Sequence, residues 1–255
     1  MVADDGQAAV SEEAFVILGE PKPGGILVVG DHASNRVPDD IDLGIDPALL
    51  DEHVAIDIGV AGVARHMAEQ HGIPAFLANV SRLVCDFNRD EDAPALVPHA
   101  SDGHAIPGNL FDLADSGHGR EARIERFYRP YHAALASLLR EAEPRLIVSL
   151  HSFTPSLRSR PEEQRPWECG VLYNEDERAS RLAIPLLAAH DLVVGDQQPY
   201  SGRLLNTTMN RHAEAHGRHY FGLEVRQDQI AEEAGQARWA GIVADVANRV
   251  ALALE

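Results

Sequence analysis

The chain has 255 residues, of which 45% are hydrophobic, and its formal net charge is -18. This length and apolar content suffice for one large α/β domain or two small ones. The acidic balance argues against nucleic acid and anionic membranes as partners, since both are bound through basic patches, and no apolar run approaches the ~18 residues of a membrane span.

The first elements follow from apolar runs and turn residues. Residues 1–13 are polar and acidic, and we expect them to be loosely held. Residues 14–18 are typical of an edge strand. The apolar run at residues 26–30 predicts a strand buried on both faces, as in parallel sheets covered by helices. Asp46 followed by Pro47 begins a short helix.

Helical spacing returns in the next segment. Residues 58–70 predict a helix that ends at Gly72, where a left-handed cap is expected. Strands are predicted over residues 73–80 and 82–86. Residues 88–119 are polar and long for a loop in a compact domain, so we expect them to be functional or partly disordered.

The second half contains the longest helical pattern, at residues 120–142, which Pro130 should kink or split. Residues 146–150 predict a strong strand that ends on His151. Residues 154–167 are rich in Arg, Pro and Ser and predict a loop or lid. The remaining elements are strands at 170–173, 192–195 and 219–226, helices at 176–190 (which Pro185 could break), 206–216 and 234–254, and a turn at 199–202.

Strands and helices therefore alternate along the chain, and composition does not shift anywhere within it. This pattern predicts an α/β fold in one three-layer domain spanning residues 1–255. We expect a mostly parallel mixed sheet of about six to eight strands, with helices on both faces.

The cysteines and the N-terminus indicate a compartment. Cys85 and Cys169 lie far apart in apolar runs, so we expect two buried, reduced thiols, as in a reducing cytosol. The first residues lack the basic and apolar regions of a signal peptide. We therefore expect a cytoplasmic protein.

Two of the 13 histidines stand out, because His32 and His151 each follow a strong strand and precede small polar residues. Ligands collect at the carboxyl ends of strands in open α/β sheets. Imidazole suits zinc, and a catalytic zinc site needs three protein ligands and an open position for water. We therefore predict one Zn²⁺ ion bound by these two histidines and a third ligand.

Asp57 is our choice for the third ligand, because the start of its helix can point back at the strand end. The alternative interpretation is that Asp57 only caps the helix. Asn35, Asp31 and His53 remain as alternative ligands, although an Asn side chain lacks the charge that zinc favours.

Basic side chains gather after the segment at 82–86. Arg89 offers a planar fork for a carboxylate, Asn88 adds a donor, and Arg82 lies nearby. In so acidic a chain, this grouping indicates a small anionic ligand. The alternative is a surface ion pair between Arg89 and either Asp86 or Asp90.

Glu224 lies within an otherwise apolar strand. It is either paired with a neighbour such as Arg226 or held for proton transfer. If it faces a metal-bound water, whose pKa zinc lowers toward ~7, it is a natural general base.

Together these segments resemble the N-formylglutamate amidohydrolase family, which is similar in fold to zinc carboxypeptidases and aspartoacylases. The resemblance covers roughly residues 25–228. Its motifs are DHASNRVP (31–38), DIG (57–59), SRLVCDFNR (81–89), LHSF (150–153), PYS (199–201) and LEVRQD (223–228).

The resemblance implies a role for the predicted ligands. His32 and His151 resemble the two zinc histidines of carboxypeptidases. Carboxypeptidases carry a glutamate ligand three residues after the first histidine, whereas this chain has Asn35. Cell-wall amidases of related fold take an acidic ligand from the start of the next helix, which favours Asp57.

The resemblance also implies how a substrate is held. Asn88 and Arg89 resemble the pair that binds the substrate carboxylate, Arg82 is placed like the arginine that polarises the scissile carbonyl, and Glu224 resembles the catalytic glutamate. The implied reaction is zinc-dependent hydrolysis of a small acylated amino acid, N-formyl-L-glutamate, to formate and L-glutamate, an activity that belongs to histidine breakdown.

The long loops complete this hypothesis. Residues 88–119 and 154–167 are expected to close over the substrate, and Arg158, Arg160 or Arg165 would hold its second carboxylate. A zinc carboxypeptidase or a cell-wall peptide amidase is the alternative enzyme. A metal- or ligand-binding protein on the same scaffold is the alternative that is not an enzyme.

Overall fold

Residues 26–30 form a fully buried strand within a seven-stranded sheet, as their apolar run predicts. The structure is a computed structural model that describes residues 13–111 and 119–255. The expectation of a loose N-terminus therefore falls almost wholly outside the described residues. The strands are β1 (Phe15–Leu18), β2 (Ile26–Gly30), β3 (Ala75–Ala78), β4 (Ala100–Ser101), β5 (His104–Ala105), β6 (Leu146–Phe153), β7 (Cys169–Leu172), β8 (Val194–Asp196) and β9 (Tyr220–Arg226).

The order of strands in the main sheet is β1-β3-β2-β6-β9-β7-β8. Neighbours from β3 to β9 run parallel, while β1 and the β7–β8 pair run antiparallel to them. The predicted mostly parallel mixed sheet and its edge strand β1 are confirmed. β6 extends to Phe153, so His151 lies within this strand rather than after it. β4 and β5 form a separate hairpin.

Helices cover both faces of this sheet, as predicted. The helices are α1 (Val60–His71), α2 (Arg120–Arg123), α3 (Arg129–Ala142), α4 (Arg178–Ala188), α5 (Thr207–His212) and α6 (Glu233–Ala253). Alternate residues of β2 point to opposite faces. Ile26 and Val28 pack in the core that includes α1, α4 and α6, and Leu27 and Val29 pack in the core that includes α3.

The two internal prolines of predicted helices behave differently. The helical stretch at 120–142 is divided by a π-helical turn, Ile124–Tyr128, and Pro130 lies in the first turn of α3, where a missing N–H group costs little. The backbone angles stay helical at both ends of this turn, so the stretch is interrupted by a π-helical turn but is not split. Pro185 instead lies inside a continuous α4, which the buried side chains Ala183 and Leu187 hold against the core.

Residues 82–86 do not form the predicted strand. The hydroxyl of Ser81 accepts a hydrogen bond from the amide of Leu83, and the Ser81 carbonyl accepts bonds from Val84 and Cys85. These bonds close a turn whose apolar side chains are fully buried. The apolar run reflects this burial, and the prediction of an extended chain is wrong.

Both cysteines of the chain lie in its core. Cys85 and Cys169 are both buried and free, which confirms the predicted thiols. Within the described part of the chain, no helix has both the length and the apolar character needed to cross a bilayer.

Gly59 forms the turn into α1 and has a positive φ of 83°. A Cβ atom added there would lie 2.1 Å from the carbonyl oxygen of Ile230. Only glycine fits this combination of backbone angle and close approach.

We expect Gly59→Ala to lower the free energy of unfolding by about 2–4 kcal/mol, since it adds both backbone strain and a steric clash. Gly72→Ala is the matched control, because Gly72 also has a positive φ, 64°, but nothing lies within 4 Å of an added Cβ. It should cost only about 1 kcal/mol. Urea denaturation of both variants measures the difference, and equal losses would contradict this explanation.

A buried histidine pair joins α3 to α5. Nδ1 of His132 lies 2.8 Å from Nε2 of His212, and Nε2 of His132 lies 3.1 Å from the carbonyl oxygen of Phe87. His132 therefore donates to Phe87 and accepts from His212, with both rings neutral. Burial lowers the pKa of His132 to about 3 and that of His212 to about 4.

Unfolded histidines titrate near pH 6.5, so acidification adds protons to the unfolded chain that the folded pair does not bind. We expect the free energy of unfolding to fall as the pH drops below about 6.5, and His132→Gln to remove about 1–2 kcal/mol of this fall between about pH 7 and pH 5. Urea denaturation at several pH values measures the slope. A slope in His132→Gln equal to that of the wild type would contradict this explanation.

Candidate metal centre and substrate pocket

The carboxyl edge of β2, β6 and β9 brings the predicted polar side chains together. His32 follows β2, and His151 of β6 lies directly opposite Glu224 of β9 in the parallel register. One step earlier, Ser149 lies opposite Gly222. Ser149 and Gly222 are small and leave space beside His151 and Glu224. These four residues and His32 line a cavity of about 340 Å³.

His32, Asp57 and His151 form a buried group whose ligand atoms all lie within 4.8 Å of one another. Oδ2 of Asp57 is 3.3 Å from Nδ1 of His32 and 2.9 Å from Nδ1 of His151. The amide of Asp57 donates to the carbonyl of His32 at 2.9 Å, which fixes the loop that carries the carboxylate. Gly59, not Asp57, is the residue that caps α1.

Two of the alternative ligands point elsewhere. Nδ2 of Asn35 donates to Oδ1 of Asp51 at 2.9 Å, and Nε2 of His53 lies 3.0 Å from Oδ2 of Asp102. Neither side chain joins the two histidines, whereas Asp57 does.

A carboxylate stands behind each imidazole of this group. Nε2 of His32 lies 2.8 Å from Oδ1 of Asp86. Nε2 of His151 lies 3.1 Å from the hydroxyl of Ser149, and Oδ2 of Asp31 is farther away, at 3.6 Å. A proton kept on each Nε2 by these partners would leave the lone pair of each Nδ1 free for a metal ion bound beside Asp57. The third alternative ligand, Asp31, therefore lies on the far side of His151 from Asp57.

Little in the sequence indicates that Asp31 and Asp86 lie beside the two imidazoles. Asp31 is fully buried and accepts hydrogen bonds from Tyr131 at 2.7 Å and from Thr208 at 3.0 Å. Tyr131 belongs to the apolar stripe of its helix, so its hydroxyl could not be assigned a partner. The sequence suggests Asp86 only as a surface partner of Arg89, whereas in the structure it is buried against His32.

The electrostatics of the group suit a cation. Burial alone would raise the pKa of Asp57, but the adjacent imidazoles and Arg82 hold it well below its usual range. Burial would lower the pKa of His151, but Asp57 raises it to about 9. Carboxylates therefore dominate the field here, and a bound metal would displace the imidazole protons.

The charge balance leads to the same conclusion. Four carboxyl groups and two guanidinium groups meet at this edge, so acidic groups outnumber arginines. This excess of acidic groups favours a divalent cation. The groups are Asp31, Asp57, Asp86 and Glu224, with Arg82 and Arg89.

The predicted basic residues lie beside this group. Arg82 donates to Oδ1 of Asp57 at 3.2 Å and to Oδ2 of Asp86 at 2.9 Å. Arg89 keeps a looser contact, 3.6 Å from Asp86, and lines the cavity with Asn88. The alternative of a surface pair is therefore wrong for Asp86, whose side chain is only 5% exposed.

Glu224 is also buried, with 7% of its surface exposed. Arg226 pairs with Asp228 at 2.7 Å, which overturns the alternative that Arg226 neutralises this glutamate. Oε2 of Glu224 has no hydrogen-bond partner among the described residues, and burial raises the pKa of its carboxyl group.

The three lid arginines have different surroundings. Arg165 is buried and donates to Tyr200 and to the carbonyl of Thr154, so it holds the lid to the body. The guanidinium group of Arg158 lies 3.0 Å from Nε2 of His104. Among the three, only Arg160 lines the cavity.

Known proteins are similar to this chain over most of its length. The family model described as N-formylglutamate amidohydrolase matches residues 24–231, which include every side chain of the site. A gene product of Agrobacterium tumefaciens is 30% identical, with a TM-score of 0.85 over 94% of this chain and 95% of that chain. N-formylglutamate amidohydrolase from Ralstonia eutropha JMP134 is 21% identical, with a TM-score of 0.67 over 94% of this chain and 98% of that chain. No curated protein matches the chain.

We expect Asp86→Asn to weaken zinc binding by about 10- to 100-fold. The substitution removes the negative charge that orients His32 and keeps the size and shape of the side chain. Competition with a chromophoric chelator measures the affinity. Asp90→Asn, at an exposed neighbour, should leave it unchanged. Equal affinities in the two variants would contradict the role of Asp86.

Proposed function

Because the chain belongs to the N-formylglutamate amidohydrolase family, we propose that it hydrolyses N-formyl-L-glutamate to formate and L-glutamate with one zinc ion. The main support is the buried group of His32, Asp57 and His151, which lies beside Glu224 at a small cavity. A buried carboxylate next to a candidate metal group favours an enzyme over a protein that only binds metal or ligand.

Two imidazoles and one carboxylate are the donor set of many catalytic zinc sites. When bound by His32, Asp57 and His151, zinc would supply Lewis acidity, which lowers the pKa of water toward ~7 and polarises a carbonyl. Asp86 and the hydroxyl of Ser149 would keep the imidazoles of His32 and His151 in the orientation that this binding needs.

Glu224 is proposed as the general base. Its raised pKa suits it to take a proton from the attacking water and to give it to the amide nitrogen as the C–N bond breaks. Arg82, fixed between Asp57 and Asp86, would stabilise the negative charge on the formyl oxygen.

The substrate has two carboxylates, and the cavity offers a cationic side chain for each. Asn88 and Arg89 would hold the α-carboxylate close to the metal group. Arg160, on the lid segment (residues 154–167), would hold the distal carboxylate.

The dimensions of the cavity favour a small substrate. A volume of about 340 Å³ is in the range for small ligands, whereas a carboxypeptidase or cell-wall amidase needs a longer groove. A cytoplasmic role in histidine breakdown is part of the same proposal and fits the two free, buried cysteines.

We expect Glu224→Gln to lower kcat on N-formylglutamate by about 10²- to 10⁴-fold, since the proton acceptor is removed while the metal ligands remain. Formate release measures the rate, and metal analysis checks that zinc is retained. Glu177→Gln, at an exposed glutamate paired with Arg181, is the control and should be fully active.

Chelation should abolish the activity of the wild type, and added zinc should restore it. Full activity in the metal-free protein, or in Glu224→Gln, would overturn the mechanism. Hydrolysis of peptides but not of N-formylglutamate would favour the alternative enzymes.

A further inference from the structure

One carboxylate joins the β4–β5 hairpin to the lid segment. Asp102 forms the hairpin turn with Gly103, and their φ angles are 41° and 81°. Its Oδ1 accepts hydrogen bonds from the amide and hydroxyl of Ser159, the amide bond being 2.9 Å long. Its Oδ2 accepts from the amide of Arg158 at 2.8 Å and lies 3.0 Å from Nε2 of His53.

This carboxylate is well placed to hold the lid firmly. Its side chain is only 5% exposed, and hydrogen bonds to an ionised acceptor are stronger than those between neutral groups. Both carboxylate oxygens accept hydrogen bonds, and the two backbone amides that donate to them belong to consecutive lid residues, Arg158 and Ser159. The lid is thus fixed at one point of its main chain.

The fixed point directly precedes Arg160. The other contacts of Arg160 lie within the lid itself, where its amide donates to Leu157 and its guanidinium pairs with Glu163 at 2.9 Å. Those contacts would move with the lid. Asp102 therefore ties this half of the lid to the β4–β5 hairpin and, through that carboxylate, to His53, while Arg165 ties the other half to Tyr200.

We propose that Asp102 is a positioning residue that clamps the lid and so places Arg160 toward the distal carboxylate of the substrate. The clamp itself is a structural claim that is independent of the reaction. The effect of the clamp on selectivity rests on the proposed function, because it requires that Arg160 binds the distal carboxylate of the substrate.

Asp102→Asn is the variant of choice. Asn tolerates the left-handed conformation of this turn, so the hairpin is kept, but one acceptor oxygen becomes an NH₂ group that faces donors. Asp191→Asn is the matched control, since Asp191 is exposed and also has a positive φ, 59°, but lies between α4 and β8.

Trypsin reports on the clamp without any activity measurement. Of the three arginines in the lid, Arg160 and Arg165 precede proline, so Arg158–Ser159 is the cleavable bond, and its two residues are those that Asp102 holds. We expect Asp102→Asn to be cut there about tenfold faster than the wild type, at an unchanged melting temperature, because the local bonds that close the segment are weakened. Mass spectrometry of the fragments identifies the bond.

Kinetics report on selectivity. Asp102→Asn should raise KM for N-formylglutamate about tenfold with little change in kcat, and should lower the preference for N-formylglutamate over N-formylglutamine. Arg160→Gln should lower this preference at least as much while leaving trypsin cleavage at Arg158 slow. Asp191→Asn should match the wild type in both assays.

Each outcome decides one part of the proposal. If Asp102→Asn resists trypsin as the wild type does, the clamp is wrong, whatever the protein hydrolyses. Fast cleavage with an unchanged substrate preference overturns the link to Arg160 and leaves the clamp in place. If no variant, including the wild type, hydrolyses either substrate, the proposed function fails, and trypsin alone then tests the clamp.

Discussion

The site depends on a single oxygen atom, Oδ2 of Asp57, toward which Nδ1 of His32 and Nδ1 of His151 both point. This convergence requires that β2 and β6 be neighbours in the sheet. It also requires that the loop before α1 return to the strand edge, where the amide of Asp57 binds the carbonyl of His32. The strand order therefore determines which residues can share an ion.

Behind this oxygen lies a layer of buried acids, which would be costly if they were left unpaired. Asp86 meets both His32 and Arg82, and Asp31 meets Tyr131 and a hydroxyl of α5. The α3 face of the sheet thus supports the metal group as well as the core. In such a site the acidic groups outnumber the arginines, which favours a bound cation.

Much of this arrangement could be predicted from the sequence, because polar residues within or directly after strongly apolar strands stand out. His32 and His151 are singled out after such strands and Glu224 within one, and the sheet, expected to have about six to eight strands, has seven. The turn at residues 82–86 could not be found, since hydrophobicity records burial and not backbone conformation. The partners of Asp102 could not be predicted either, because bonds between two loops depend on how the whole chain is packed.

The separation of the three candidate ligands along the chain has a further consequence. β2 pairs with β6 in a register that joins Ile26 to Leu146, so the group does not exist in any short segment of the unfolded protein. Small domains such as zinc fingers, by contrast, need the metal in order to fold. Here the ion would be captured by a sheet that is already assembled. Metal supply in the cell, rather than chain assembly, would then decide which ion occupies the centre.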